Sequence, residues 1–357
     1  MNLIIGLIAF LFMLSVIVII HELGHFAMAK KFGVFCKEFS IGMGPALWQK
    51  EGKETTFSIR AIPFGGYVMM AGEQDGSQDE SEDDWLKDVP AARRLNNIAP
   101  WKQIVIMLAG VTMNIVLAYA LFTGLAMARG YVVEDAKPVV YEVVENSPAA
   151  KAGLQKDDEI IRVTNGSESI EPQRQFDVIE FIQYNPTEST YTIARGNETL
   201  DVKITPRYNK DTQTYEIGSI ATSYARPIAW YEAFKVGWDD MVDSGSSIFR
   251  SLGQLVKGKG YENLSGPVGI LNLTKKTTEM GWMSYLSLFA LISLNIGIFN
   301  LLPIPALDGG RVLILLIERI TRRKINEKLV ENIILASFVL LIGIFLFATY
   351  NDIAKMF

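Results

Sequence analysis

The chain has 357 residues, 49% of them apolar and 20% charged, with a net charge of −5. Soluble proteins carry about a quarter charged residues, and here the deficit falls in a few long runs, as membrane spans require. The acidic balance offers no footprint for nucleic acid. The single cysteine, Cys36, excludes an internal disulfide, so any outward-facing domain is held by packing alone.

The first apolar run covers residues 3–20, eighteen positions without a charge, and three more cover roughly 103–127, 283–302 and 333–350. Each approaches the ~20 residues that carry a helix across a ~30 Å hydrocarbon core. Lipid offers the backbone no hydrogen-bond partners, so all four are expected to be helices. Ala27-Met28-Ala29 matches a signal-peptide cleavage pattern, but residues 1–20 lack Lys and Arg, and the first run is expected to be retained. Lys30 and Lys31 follow the first run, Arg93, Arg94 and Lys102 precede the second, and Arg311, Arg319, Arg322, Arg323, Lys324 and Lys328 join the third to the fourth. The excess of positive charge places these connections in the cytoplasm. Both termini and the segment between the second and third spans then face outward.

In chain order, residues 1–28 form the first transmembrane helix and 29–101 a cytoplasmic-side insertion. Within it, alternation over 57–62, a stop at Pro63, the turn pair Gly65-Gly66 and a short strand over 67–70 predict a β hairpin. Residues 73–84 carry seven acidic side chains and no basic one, the pattern of a solvated loop with no assigned role. Residues 102–127 are the second span. Residues 128–210 form a small β-rich domain: a strand over 139–144, a helical turn over 148–152 ended by Gly153, a strand over 159–163 before Asn165-Gly166, a helix over 175–183, and strands near 190–195 and 200–205. The run from Ser147 to Leu154, with Asp158-Glu159-Ile160 and Asn165-Gly166, resembles a bacterial PDZ domain, with Asp157 where a turn glycine is usual. A PDZ groove binds peptide or protein termini by adding them to a sheet edge; a steric cap fits the same pattern. Residues 211–282 are a connector whose amphipathic helix over 228–256 carries Phe234, Trp238, Met241, Ile248, Leu252 and Leu255 on an apolar face. The third span with a loop covers 283–310, a basic loop or helix 311–331, and the fourth span 332–357. The fold class is a polytopic α-helical membrane protein with four transmembrane helices, an extracytoplasmic PDZ-like domain and a small cytoplasmic-side β hairpin.

His21-Glu22-Leu23-Gly24-His25 ends the first apolar run and uses both histidines of the chain. Two His at i and i+4 lie on one helix face about 40° apart, so both imidazoles can reach one ion, and Glu22 beside them can take a proton from water. Ionisable groups at membrane depth cost about 2.5 kcal/mol or more each, which marks them as functional. Catalytic zinc takes three protein ligands and keeps a position open. No third histidine exists, so the third ligand is an acid or Cys36. Asp308, past the third run in Asn300-Leu301-Leu302-Pro303-Ile304-Pro305-Ala306-Leu307-Asp308-Gly309-Gly310, is the acid that topology brings to the same depth, with a helix cap as its plainer reading. Glu38 or Glu51 as third ligand would instead make a gluzincin-like membrane peptidase. A non-proteolytic receptor using the PDZ-like domain is the remaining alternative.

Together, HELGH at 21–25 and the Asn-x-x-Pro-x-Pro-x-x-Asp-Gly pattern at 300–309 resemble the site-2 protease family of intramembrane zinc metalloproteases, of the bacterial regulator-of-sigma-E-protease type. The resemblance spans essentially the whole chain, including Gly266-Pro267 before the third span. It implies Zn²⁺ held by His21, His25 and Asp308, Glu22 as general base, and Asn300 in contact with substrate. It also implies a re-entrant β loop around Phe64-Gly65-Gly66-Tyr67 that pairs with the substrate. The implied substrates are single-span proteins such as anti-sigma factors or signal-peptide remnants, cut within the bilayer of a bacterial inner membrane. One departure is clear: the second span has Gly110 and Asn114 but lacks the proline usually found between them.

Overall fold

The computed structural model describes residues 3–73, 82–134, 136–210, 212, 214–261 and 264–354. Most of the acidic stretch, residues 74–81, lies outside the described residues, as does the C-terminal Lys355. The chain divides into two compact units, one of residues 1–125, 234–248 and 264–357, the other of 126–233 and 249–263.

In the first unit, α1 (Leu3–Lys31) runs unbroken through HELGH. Residues 21–31 contain no proline and keep good helix formers, so the helix passes the first ionisable groups and stops only at Gly33, whose φ is +81°. Lys30 and Lys31 in its last turn complement the negative end of the helix dipole. Then come β1 (Cys36–Glu51) and β2 (Thr56–Met70). The expected pairing of 57–62 with 67–70 is corrected here. β2 passes straight through Pro63 and Gly65-Gly66, and both its halves pair antiparallel with the start of β1: Phe39 lies opposite Phe57 on one side and Val68 on the other. The end of β1 folds back on the first half of β2, with Lys50 opposite Phe57. The hairpin is therefore β1–β2, bent into four segments in the order 46–51, 56–60, 36–41, 66–70, and the last segment is an edge. Alternation marked the two halves of β2 correctly, but Gly42, Gly44 and Pro45 obscured the strand that separates them. Gly42 and Gly44 have φ near +85° and +82°, the bend that sends β1 around the corner.

α2 (Glu82–Lys87) and two single 3₁₀ turns, Ala91–Arg93 and Leu95–Asn97, lead to α3 (Pro100–Arg129), which starts with proline at its first position. The insertion packs on α1 and α3 through Ala29, Val34, Cys36, Phe39, Val68 and Ile106.

The second unit is β-rich. After β3 (Tyr131–Glu134) and β4 (Glu142–Val143) come α4 (Pro148–Lys151), β5 (Glu159–Asn165), β6 (Glu168–Ile170), α5 (Gln175–Tyr184), β7 (Ser189–Arg195) and β8 (Glu198–Ile204). A four-stranded antiparallel sheet has the order β6-β5-β7-β8. β9 (Arg207–Asn209) is followed by three strands past residue 210, β10 (Thr214–Glu216), β11 (Ser219–Ile220) and β12 (Tyr224–Pro227), which form ribbons β10-β9, β11-β4 and β12-β3, so the connector expected from residue 211 begins instead with strands of the β-rich unit. The expected strand over 139–144 shrinks to β4 and one bridge from Val139 to Glu159, because Val140 is tied to the turn at Asp157 and Asp158 instead. Asp157 has φ +68°, so aspartate adopts here the left-handed conformation for which glycine is usual. Ser147 caps α4 by accepting Ala150 N–H at 3.1 Å. Ile160, Val163, Val178, Ile193 and Leu154 fill the core between the sheet and α5.

α6 (Glu232–Val256) is the amphipathic helix expected over 228–256. In the first unit, Gly237 of α6 sits so close to α3 that a Cβ would fall 2.4 Å from Thr123 Oγ1. α7 (Pro267–Glu279), α8 (Trp282–Asn300), α9 (Asp308–Thr321) and α10 (Glu327–Ala354) complete the unit. Asp352 of α10 is buried and accepts the N–H groups of Gly266 and Gly269 at 2.8 and 2.7 Å, which caps α7 and accounts for the glycines there. Four described helices are long and apolar enough to cross a membrane: Ile4–Lys31, Pro100–Arg129, Trp282–Asn300 and Lys328–Ala354. The span in α8 is 44% buried and that in α10 only 6%, so α8 is central and α10 faces outward almost all round. The protein is thus polytopic in the membrane, with a β-rich second unit.

In the second unit, Asp158 is fully buried and accepts Arg195 Nε and Nη2 at 2.7 and 2.8 Å and Gln155 N–H at 2.8 Å. Burial alone would raise its pKa, but the Arg195 guanidinium and the backbone N–H outweigh it and hold the carboxyl below its ordinary value. Stability from this group is therefore complete above about pH 4 and is lost as pH falls below that. Asp158→Asn is expected to cost about 3 kcal/mol at pH 7. Amide hydrogen exchange in β5 and β7 of the full chain should show the loss, and the difference from wild type should shrink under acid.

Candidate metal centre

α1 carries His21 and His25 one turn apart, and α9 begins at Asp308, so three side chains from two distant stretches converge. His21 Nε2 and His25 Nε2 are 3.1 Å apart, and Asp308 Oδ2 lies 3.2 Å from the first and 3.4 Å from the second. Ligands ~2.0–2.1 Å from a tetrahedral ion lie about 3.3 Å from one another. The three atoms therefore outline one face of a zinc tetrahedron. Asp308 Oδ2 is buried and makes no hydrogen bond of acceptable angle despite these short distances. A buried carboxylate oxygen aimed at two imidazole nitrogens, and bonded to neither, fits a shared cation better than it fits ion pairing. Among the described residues this is the one cluster of three such ligands.

The surrounding shell fixes the rings. His25 Nδ1–H donates to Ile106 O at 2.8 Å, which leaves Nε2 with its lone pair toward the centre. His21 Nδ1 lies 3.3 Å from the Asn114 amide, whose Oδ1 is fully buried without a partner. Turning that amide end for end lets His21 Nδ1–H donate to Oδ1, which both satisfies the oxygen and frees His21 Nε2 for metal. Asn114 is in turn fixed by α8, since Ser293 Oγ donates to its backbone carbonyl at 2.8 Å. The approach of α1 to α3 needs two glycines. A Cβ on Gly24 would lie 2.4 Å from Ala109 O, and one on Gly110 would lie 2.4 Å from His25 Nε2. Asp308 is delivered by the turn 301–307, which folds onto the start of α9. There, Cβ atoms at Gly309 and Gly310 would overlap Leu301 O and Ile304 O at 2.2 and 2.1 Å. The helix N-cap is Leu307, not Asp308, so the carboxylate is left for the centre.

The histidines and Glu22 line a cleft of about 460 Å³ together with Tyr67 to Met70 of the edge segment and with Leu307 and Asp308. Gly66 lies beside Glu22: a Cβ there would be 3.7 Å from Glu22 Cγ and 2.7 Å from Ser40 O. Gly65 has φ +79° and abuts Met43. Asn300 ends α8, half-buried, and does not line the cleft. Glu38, the alternative third ligand, has both oxygens engaged: Oε1 accepts Ser58 Oγ and Arg60 Nη2, the latter at 2.6 Å, and Oε2 accepts the Tyr67 hydroxyl at 2.9 Å. Glu51 ends β1 on an exposed stretch. Two supporting residues escaped the sequence reading. Asn114 was visible only as one end of a broken motif, and nothing in sequence marks the Ile106 carbonyl.

Four membrane-crossing helices and a buried His-Glu-x-x-His facing a distant aspartate define a membrane-embedded metalloprotease. The chain belongs to peptidase family M50, the site-2 protease family, whose model matches residues 9–344. It is 35% identical over 356 residues to a Clostridium perfringens protein provisionally named a zinc metalloprotease, an alignment covering 99% of this chain and 98% of that one. It is 30% identical over 422 residues to the regulator of sigma-W protease RasP of Bacillus subtilis, covering 98% of each, and 29% identical to the zinc metalloprotease RasP of Bacillus licheniformis, covering 98% of this chain and 99% of that one. It is a zinc metalloprotease.

Replacing Asn114 with Ala removes the acceptor for His21 and should lower zinc affinity about 10–100-fold. Gly110→Ala should empty the site altogether, since its methyl would take the place of the His25 ring. Chelator competition on purified protein, with zinc read by elemental analysis, checks both.

Proposed function

We propose that this enzyme hydrolyses peptide bonds inside the transmembrane segments of single-span membrane proteins, with His21, His25 and Asp308 holding zinc and Glu22 as general base. The observation that carries the reading is that the metal triangle, two of whose members stand in a membrane helix, opens onto a cleft lined by a strand edge with no further strand partner among the described residues. When bound, zinc supplies a Lewis acid that polarises the scissile carbonyl and makes water more acidic. Glu22 takes the proton of the attacking water and returns it to the leaving amine. Asn114 and the Ile106 carbonyl keep both imidazoles in the orientation that leaves Nε2 unprotonated.

A helical substrate hides its carbonyls in i to i−4 hydrogen bonds, so it must unwind before attack. Among the described residues no second strand pairs with the outer side of segment 66–70, and a substrate strand added there would recover part of the lost hydrogen bonding. Gly66 allows that strand to pass close to Glu22, and Gly65 bends the chain into the edge. Asn300, outside the cleft wall, is assigned a contact with substrate flanking the cut. The excess of Lys and Arg between α9 and α10 puts the metal side of the molecule toward the cytoplasm and leaves both termini and the β-rich unit outside. That unit is read as a PDZ-like domain whose strands run on to Pro227, past the boundary expected at residue 210. The anti-sigma factors or signal-peptide remnants of regulated intramembrane proteolysis are the substrate class that fits an inner-membrane enzyme of this build.

Glu22→Gln keeps size and polarity but removes the base. It should lower turnover of a membrane-embedded substrate at least about 10²-fold while zinc content stays at wild type. Trapped substrates recovered with this variant from native membranes should be cut by wild type; retained activity would exclude Glu22 as base. Gly66→Ala should slow cleavage of a helical span far more than that of an extended peptide, and equal slowing of the two would sink the strand-pairing reading.

A further inference from the structure

A second cavity, of about 510 Å³, adjoins the metal cleft. Gly72, Glu73, Met107 and Arg311 line both, so the ion pair between Glu73 and Arg311 stands in a shared wall. The floor of the second cavity is apolar, made by Leu95, Met107, Ile314, Leu315, Val330 and Ile334. Val330 and Ile334 belong to the span in α10, so the floor continues the lipid-facing surface of the protein. The rim is the opposite in character. Arg319, Arg322, Arg323 and Lys324 surround it. Two carboxylates also line the cavity: Glu73 is committed to Arg311, and Glu318 accepts Ile325 N–H at 2.9 Å. Among the described residues none of the four rim cations forms an ion pair. Arg322 also sits at φ +53°, at the C-terminal end of α9 where glycine or asparagine is usual. An arginine held there places its side chain at the mouth, at some cost to the backbone.

An apolar floor continuous with a membrane helix, under a cluster of cations at its end, is complementary to an amphiphile with a negative head. We propose that this cavity seats one anionic phospholipid of the cytoplasmic leaflet, with an acyl chain on the floor and the phosphate among Arg319, Arg322, Arg323 and Lys324. A soluble anion has no use for the floor, and a zwitterionic lipid gains little from four cations. Each Lys or Arg near an anionic headgroup contributes about a fivefold gain in binding.

The test uses the full-length protein in nanodiscs of phosphatidylcholine and phosphatidylglycerol in equal parts, released into detergent, with retained lipid read by native mass spectrometry. Wild type should retain phosphatidylglycerol in preference to phosphatidylcholine. The combined variant Arg322→Gln, Arg323→Gln, Lys324→Gln should weaken that retention on the order of 100-fold. Ile314→Trp fills the floor and leaves every charge in place, and it should also abolish retention. Zinc content of each variant reports whether it is folded; if one fails to fold, the other variant decides. Equal retention of the two lipids by wild type would overturn the proposal without either. So would undiminished retention by folded Ile314→Trp, which would reduce the rim to diffuse surface charge.

Discussion

The closeness of α1 and α3 at Gly24 and Gly110 is the constraint on which the centre rests. With a Cβ at Gly110 the His25 ring has no room, and with one at Gly24 the two helix backbones cannot meet. In lipid, helices gain little from apolar contact alone, and small residues that let backbones approach are the usual means of holding them together. Here that approach also brings the Ile106 carbonyl and the Asn114 amide within reach of the two imidazoles. α8 joins the same level of the bundle through Ser293 and through Gly297, whose missing Cβ would touch Asn114 at 3.4 Å. One packing decision therefore sets ring position, ring tautomer and the depth of the third helix.

Burying a carboxylate among spans is expensive unless a cation answers it. Asp308 meets this at the first position of a helix that follows a turn, not inside a span. α8 stops at Asn300, the chain folds back over 301–307, and α9 restarts with Asp308 at its first position, where the positive end of the helix dipole also favours an anion. The folded-back carbonyls of Leu301 and Ile304 press on Gly309 and Gly310, so the turn is as dependent on missing side chains as the α1–α3 contact is. Next along α9, Arg311 answers Glu73 in the turn after β2, and this ties α9 to the segment that follows the cleft strand.

Sequence carried much of this, for identifiable reasons. HELGH spends the only two histidines of the chain on one helix face, and Asp308 stands beside prolines and glycines that forbid a continued helix, so the triangle could be anticipated from spacing and topology. The four spans were equally plain, because unbroken apolar runs are a one-dimensional signal. The sheet was not. Its order depends on residues 36–41 entering between the halves of β2, and pairing between distant strands leaves no local trace once Gly42, Gly44 and Pro45 interrupt the alternation. Asn114 was hidden for a related reason: a polar residue in a span reveals that it has a partner but not which one.

The edge at 66–70 presents the remaining physical problem. A free strand edge is a liability that proteins commonly blunt with charge, a bulge or a covering segment. Among the described residues no strand covers this one, and it is made rigid from behind. Glu38, on the neighbouring segment, collects Ser58 and Arg60 from one flank and Tyr67 from the edge itself, and Arg60 stacks 5.3 Å from the Tyr67 ring centre. A buried carboxylate with every oxygen engaged resists displacement, because breaking any one bond leaves charge uncompensated. The network spans three adjacent segments of the sheet, so the edge cannot shift in register without breaking it. Register matters here more than elsewhere, since a slip of one residue would turn each side chain of the edge to the opposite face. An edge held in register beside Glu22 keeps the same backbone groups turned toward the cleft, while Val68 and Met70 of that edge stay packed in the core behind it.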